Sequence, residues 1–189
     1  METKITVNKN EEKIVPFMWI DGEETDVTYS VDLVEEGSSV HIVGLFLGTK
    51  HNKITFNTDV THTGIKTFSR TTLRGVFLNN ASISNDGMVR ISKGAKGADG
   101  YFASKILLFD NAKGRSVPSL EIDENELKAG HASTIGRPDA EQLFYMQSRG
   151  MSEKEAQKLI ITGFFEPVIK LMTEKEQQDV RKRLDKYLK

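Results

Sequence analysis

Between residues 1 and 134 the chain is a succession of short β-rich runs, and no helical period of comparable length interrupts them. The runs are KIVPFMWI, DVTYSVDLV, VHIVGLFL, KITFNTDV, TLRGVFL, MVRIS, KILLF and SLEI. Alternation is clearest at Ile54, Phe56, Thr58, Val60 and His62, whose neighbours are mostly polar, as in a half-buried strand. Asp-Gly at 21–22 and 86–87, Asn-Asn at 79–80 and lone glycines punctuate the runs and read as turns. Periodicity alone leaves a sandwich, a barrel or a solenoid open. There is no strict repeat, but a β-solenoid with coils of roughly 20 residues fits, because coils stack through inward apolar side chains rather than identical sequence.

After Gly136 the pattern becomes helical. Pro138 suits a first helical turn, where its missing N–H costs nothing, and Asp139 and Glu141 complement the dipole of a helix that carries Leu143 and Met146 and stops at Gly150. Ser152 with Glu155 is a capping-box pair opening a second helix, whose apolar positions Ala156, Leu159, Ile160, Gly163 and Phe164 share one face and which Pro167 should kink or end. Thr173 with Glu176 repeats the cap, and Val180, Leu184 and Leu188 line one face of a third helix. The expected division is a β core over residues 1–135 and a small helical domain over 136–189. The helices either pack across the open end of the β core or present a free face to a partner.

Composition removes several function classes. Lys plus Arg number 26 and Asp plus Glu 27, so the net charge of −1 gives no electrostatic reason to expect nucleic acid or an anionic membrane as partner. The absence of cysteine excludes disulfides, thiolate catalysis and any cluster or zinc site made from this chain's own thiolates. METKITVNKN has no apolar signal-peptide region, and the apolar stretch at VHIVGLFLG is far short of a membrane span, so a cytoplasmic location is expected. There is no P-loop, HExxH, GxSxG or strand-linked GxGxxG, which argues against autonomous catalysis. Gly94, Gly97 and Gly100 do not open a helix and read as a tight turn rather than a phosphate cradle.

The four histidines, His41, His51, His62 and His131, are not spaced as a local metal pair. His131 shares its parity with Leu127, Ala129 and Ser133, the more apolar face of an extended segment. The residue pattern favours a core histidine satisfied by a backbone or hydroxyl partner; the rival is metal or cluster ligation, which a neutral imidazole also supports.

The stretch AGHASTIGRPDAEQLFYMQSRG, with Met151 after it, resembles the C-terminal signature of the SufB/SufD family of iron–sulfur cluster assembly proteins. His131, Ala132, Thr134, Ile135, Gly136, Asp139, Leu143, Phe144, Tyr145, Ser148, Arg149, Gly150 and Met151 match or conservatively replace its positions. Weaker similarity extends through THTGIKTFSRTTLRGVF, KILLFD, PSLEI and SEKEAQKLIITGFFEPVI, covering roughly residues 40 to 170. The resemblance implies a right-handed parallel β-helix core followed by a small α-helical domain. It implies pairing of two subunits through their β-helices, either with a SufB-like subunit or as a homodimer, and docking of a SufC-like ABC-type ATPase on the C-terminal helices. His131 matches the histidine that lies at the subunit interface of D-type members and contributes to cluster assembly, which makes it the candidate interface and metal residue. Phe144, Tyr145, Arg149 and Gly150 match the segment associated with ATPase docking, although packing for the aromatics and a helix C-cap for Gly150 are as well supported by the residues alone.

The departures point to the D type. B-type members carry a functional cysteine at about the position of Ser104 and carboxylates flanking the matched histidine, where this chain has Gly130 and Ala132. The expected function is therefore a noncatalytic subunit of a SUF-type assembly machine, sharing a transient iron–sulfur cluster with a partner that supplies the thiolates. A purely structural β-helix in which His131 only packs is the alternative. A carbohydrate-active β-helix enzyme is weaker, because no convergent carboxylates are evident.

Overall fold

The computed structural model describes residues 1–188; Lys189, the last residue of the expected helical segment, lies outside them. Ten strands precede three helices: β1 (Glu2–Val7), β2 (Glu12–Ile20), β3 (Thr25–Leu33), β4 (Ser39–Gly48), β5 (Lys53–His62), β6 (Phe68–Phe77), β7 (Ser82–Ile91), β8 (Ala98–Leu108), β9 (Lys113–Ile122), β10 (Leu127–Gly136), α1 (Ala140–Ser148), α2 (Glu153–Ile169) and α3 (Glu174–Tyr187). Odd strands form one five-stranded sheet in the order β1-β3-β5-β7-β9, and even strands a second in the order β10-β8-β6-β4-β2. Every pairing is parallel, so the chain winds as a five-coil β-solenoid.

Coils are longer than 20 residues: Thr25 pairs with Ile54, and Ser82 with Lys113, so a flattened coil needs two ten-residue strands and two corners. Asp86-Gly87 is not a turn but the middle of β7, where the Phe102 ring lies against Gly87 and fills the space a Cβ would need.

The corners between strands, except the one joining β9 to β10, carry a residue in the left-handed region. Asn10, Gly37, Lys66 and Gly97 occupy one edge, and Asp21, Lys50, Asn79 and Asp110 the other, with φ between 48° and 72°. Stacked corners are bonded to each other: the Lys50 amide donates to Asn79 Oδ1 at 3.0 Å, and the Asn79 amide to Asp110 Oδ2 at 2.8 Å. Gly94 and Gly97, both at positive φ, form the β7–β8 turn, as expected, whereas Gly100 lies inside β8.

The interior is filled by inward side chains, with Phe46, Phe56, Phe77 and Phe102 fully buried and Phe17 stacked 4.9 Å from Phe56. β4 is apolar on both faces for a reason: Val40, Ile42 and Phe46 face the interior, while Val43, Leu45 and Leu47 meet the helices outside. There Ile161, Phe165, Val168 and Ile169 of α2 and Val180 and Leu184 of α3 complete a second apolar cluster with Val76 and Phe109, so the helices cover an outer sheet face and not the open end of the core, because the apolar outward side chains lie on β4 and β6. Arg74 of β6 reaches across it, donating from Nη1 to the Phe164 carbonyl at 2.5 Å with its guanidinium 5.0 Å from the Phe164 ring centre.

Both capping boxes form as the residue spacing predicts. Pro138 precedes the first helix instead of entering it, because Asp139 is the N-cap and accepts from the Glu141 amide at 2.9 Å. Pro167 does not break α2: it sits in the last turn, and the helix runs on to Ile169. The buried face of α2 is Ala156, Ile161, Phe165, Val168 and Ile169, rotated from the expected one, and Leu159 is exposed.

Candidate functional site

The solenoid ends in the coil made by β9 and β10, and among the described residues no further coil covers it. Inward parity therefore does not give burial there. Across this coil a Cβ on Gly114 would lie 3.4 Å from Ile135, and equal steps along the two strands place Ser116 opposite Ser133 and Pro118 opposite His131. His131 is exposed, as are Ile122 and Ile135 on the same open end. The expectation of a buried, satisfied histidine thus fails at His131 because the strand that should cover it is absent. That role belongs to His62, which is fully buried, with Nδ1 2.8 Å from Thr67 Oγ1 and Nε2 2.8 Å from Ser69 Oγ. Burial pushes the His62 imidazole down to about 4, against a smaller opposing pull from Asp99, so it is neutral at physiological pH. His41 is half-buried beside Thr72 Oγ1 at 3.0 Å, with its pKa lowered by burial and by Arg70, and His51 is exposed on a corner.

Beneath the open end lies a short polar column. Ser104 of β8 pairs in register with Ser133 of β10 and is buried, and its hydroxyl has no hydrogen-bond partner. On the opposite wall the buried Asn85 donates from Nδ2 to the Phe56 carbonyl at 2.8 Å and accepts from Ser116 Oγ at 2.9 Å. Asn85 and Ser116 escaped the reading of the sequence, since their signal is only a polar residue at an inward position of a strand. The chain supplies one imidazole at this end and no thiolate, and among the described residues no three metal-ligating side chains converge.

Alternation of backbone bonding defines the free edges. In β9 the Lys113 and Asp123 amides bond back to Ala81 and Ile91, at 3.0 and 2.8 Å, so even-numbered residues face outward and Pro118 occupies the middle of that edge. In β8 the Asp99 and Phe109 amides bond to β6, leaving the even residues of β8 to bond β10. With Ala98 opposite Leu127, the outward-facing backbone of β10 is that of Leu127, Ala129, His131, Ser133 and Ile135.

A second exposed feature lies on the helices. α1 buries no residue, Phe144 is 72% and Tyr145 58% exposed, and Arg149 stacks 5.3 Å over the Tyr145 ring. Gly150, at φ 92°, closes the helix: its amide bonds the Gln147 carbonyl at 2.9 Å and the Met151 amide bonds Met146 at 3.3 Å, a Schellman cap. Between α1 and α2 a groove of ≈ 390 Å³ is lined by Arg137, Gln142, Met146, Leu159 and Phe164 among others. His131 and this aromatic face stand on separate elements and form two sites, not one.

Residues 16–164, more than half the chain, match the family model described as SUF system FeS cluster assembly, SufBD core domain. The iron–sulfur cluster assembly protein SufD of Bacillus subtilis is 29% identical over 163 residues, covering 78% of this chain and 37% of that protein. A SufBD family protein of Mycobacterium leprae is 32% identical over 157 residues, covering 78% of this chain and 40% of that protein, and one of Mycobacterium tuberculosis is 44% identical over 100 residues, covering 52% and 24%. The chain therefore spans well under half the length of these curated relatives. No helix among the described residues is long and apolar enough to cross a membrane.

Proposed function

This chain belongs to the SufBD family of iron–sulfur cluster assembly proteins, and on that premise we propose that it is a noncatalytic subunit of a SUF-type assembly complex. It pairs with another SufBD-type subunit through the open end of its solenoid, and its helical face docks an ABC-type ATPase of the SufC kind. The observation that carries this reading is the exposure of His131 on an uncovered terminal coil, where an imidazole is accessible to a partner's ligands. A cluster under assembly is the cargo of this surface. His131 offers it one nitrogen ligand, and thiolates come from the partner, because this chain has none.

The exposed Phe144 and Tyr145, with Arg149 stacked on the latter, support the docking role, since aromatic and arginine side chains exposed together are the usual anchors of protein interfaces. Arg74 ties α2 to the sheet and gives a mechanical link by which movement of the helices reaches the solenoid. The reading is tested by co-expressing the chain with a SufC-like ATPase and isolating the complex through either component. A stable complex supports it, and failure of the two to associate contradicts the docking role.

A further inference from the structure

β10 is bonded to a neighbouring strand on one side only, and its middle carries a glycine next to His131. A glycine inside a strand has no side chain to pack and leaves the backbone free, so on an edge strand it is a weak point unless a neighbour covers it. The neighbour here is Tyr101. It is the register partner of Gly130 on β8, and a Cβ built on Gly130 would stand 3.0 Å from both Cδ2 and Cε2 of the Tyr101 ring, so the ring occupies the place of the absent side chain. An aromatic ring laid over an edge glycine from the next strand restores the order that the glycine forfeits.

The ring is fixed in turn. Arg70 of β6 is the register partner of Tyr101 on its other side, and its guanidinium carbon lies 5.2 Å from the Tyr101 ring centre and 4.7 Å from that of Phe68. Arg70 Nη1 donates to Asp99 Oδ1 at 2.9 Å, which anchors the guanidinium at the two rings. A run of contacts therefore crosses the outer face of the even-stranded sheet, from Phe68 through Arg70 and Tyr101 to the backbone beside His131. The helices cover that face farther along the strands, at Leu45, Leu47 and Val76, and the next outward residues of β10, Ala132 and Thr134, are exposed.

We propose that Tyr101, held by Arg70, is a positioning residue for His131: its ring fixes the backbone of β10 at Gly130 and thereby the place of the next residue's imidazole. The proposal rests on the cluster-site reading of His131 above. An imidazole that joins a partner's thiolates on one cluster needs its backbone held to within about 0.5 Å, and the exposed His131 gains little of that from its own packing. The support comes through its neighbour instead, and it explains why position 130 carries no side chain: any Cβ there meets the ring.

Hydrogen exchange of the full chain reads this clamp without any cluster. The Gly130 and Ala132 amides, which bond β8, exchange about threefold to tenfold faster in Tyr101→Ala than in the wild type, while amides of β5 keep their rates. Tyr101→Phe exchanges as the wild type does, because the ring suffices. Arg70→Ala gives a smaller acceleration, about twofold to fivefold. Adding Gly130→Ala to Tyr101→Ala restores protection, since a side chain at 130 then has room and stiffens the strand; a ring that merely packed on the sheet would not be replaced in this way. In the complex reconstituted with iron and sulfide, cluster yield follows the same order: reduced in Tyr101→Ala, kept in Tyr101→Phe and recovered in the double variant. Unchanged exchange in Tyr101→Ala, or no recovery in the double variant, overturns the clamp. Faster exchange with full cluster yield, in a complex that His131→Ala does impair, overturns the positioning of His131. If His131→Ala itself leaves the yield intact, the cluster reading is what falls, and the exchange rates alone decide the clamp.

Discussion

Gly100 makes the space in which His62 is buried: a Cβ built on Gly100 would stand 3.2 Å from His62 Nε2 and 2.7 Å from Val89 Cγ1. The absent side chain lets a polar ring sit in the apolar interior, where Thr67 and Ser69 satisfy both its nitrogens.

Burial of a neutral His62 makes stability depend on pH. The folded imidazole titrates near 4 and the unfolded one near the ordinary 6.5, so between these values the unfolded chain binds the extra proton. The His62 contribution is complete above pH 6.5 and is lost as pH falls toward 4, amounting to about 3 kcal/mol. Urea unfolding at pH 7.5 and pH 4.5 measures it. His62→Gln is expected to be less stable at neutral pH and to show a flatter pH dependence than the wild type; an unchanged slope refutes the assignment.

Gly100→Ala forces a methyl into that packed space and is expected to cost about 1–3 kcal/mol, read as a lowered denaturation midpoint. Gly136→Ala, where no atom lies within 4 Å of a built Cβ, is the control and is expected to change the midpoint little.

Arg74 holds α2 against the sheet through the Phe164 carbonyl and ring. Arg74→Ala is expected to destabilise the protein by about 1–3 kcal/mol and to expose the helices to limited proteolysis before the solenoid. Arg74→Lys keeps the charge but loses the planar stack, and it should fall between the two. Equal protease resistance in all three proteins contradicts a strut role.

The order of strands before helices was legible because alternation and capping boxes are local signals: Ile54 to His62 and Ser152 with Glu155 need no tertiary context. The coil length was not. Its repeat lies in corner residues that share φ rather than identity, so Asp21, Lys50, Asn79 and Asp110 look unrelated as letters. Asp86-Gly87 misled for a similar reason, since glycine served the Phe102 ring and not a turn. The parity of His131 was read correctly, but its exposure depends on whether another coil covers it, which no local pattern encodes. The face of α2 was misassigned because helical spacing alone does not say which apolar stripe meets the outer face of β4.

Phe144 and Tyr145 contribute little to the fold at their exposure. Replacing both by alanine is expected to leave the unfolding midpoint within about 0.5 kcal/mol of the wild type and to abolish capture of a SufC-like ATPase. A lowered midpoint with ATPase capture intact would assign them to packing instead.

The central claim is that this chain contributes His131 to a site where a cluster is assembled with a partner. Its most direct test is anaerobic reconstitution of the complex with iron and sulfide, followed by absorption spectroscopy, comparing the wild type with His131→Ala. The expected result is a marked loss of cluster yield with association and unfolding midpoint unchanged; an undiminished cluster yield in the His131→Ala complex would contradict the account.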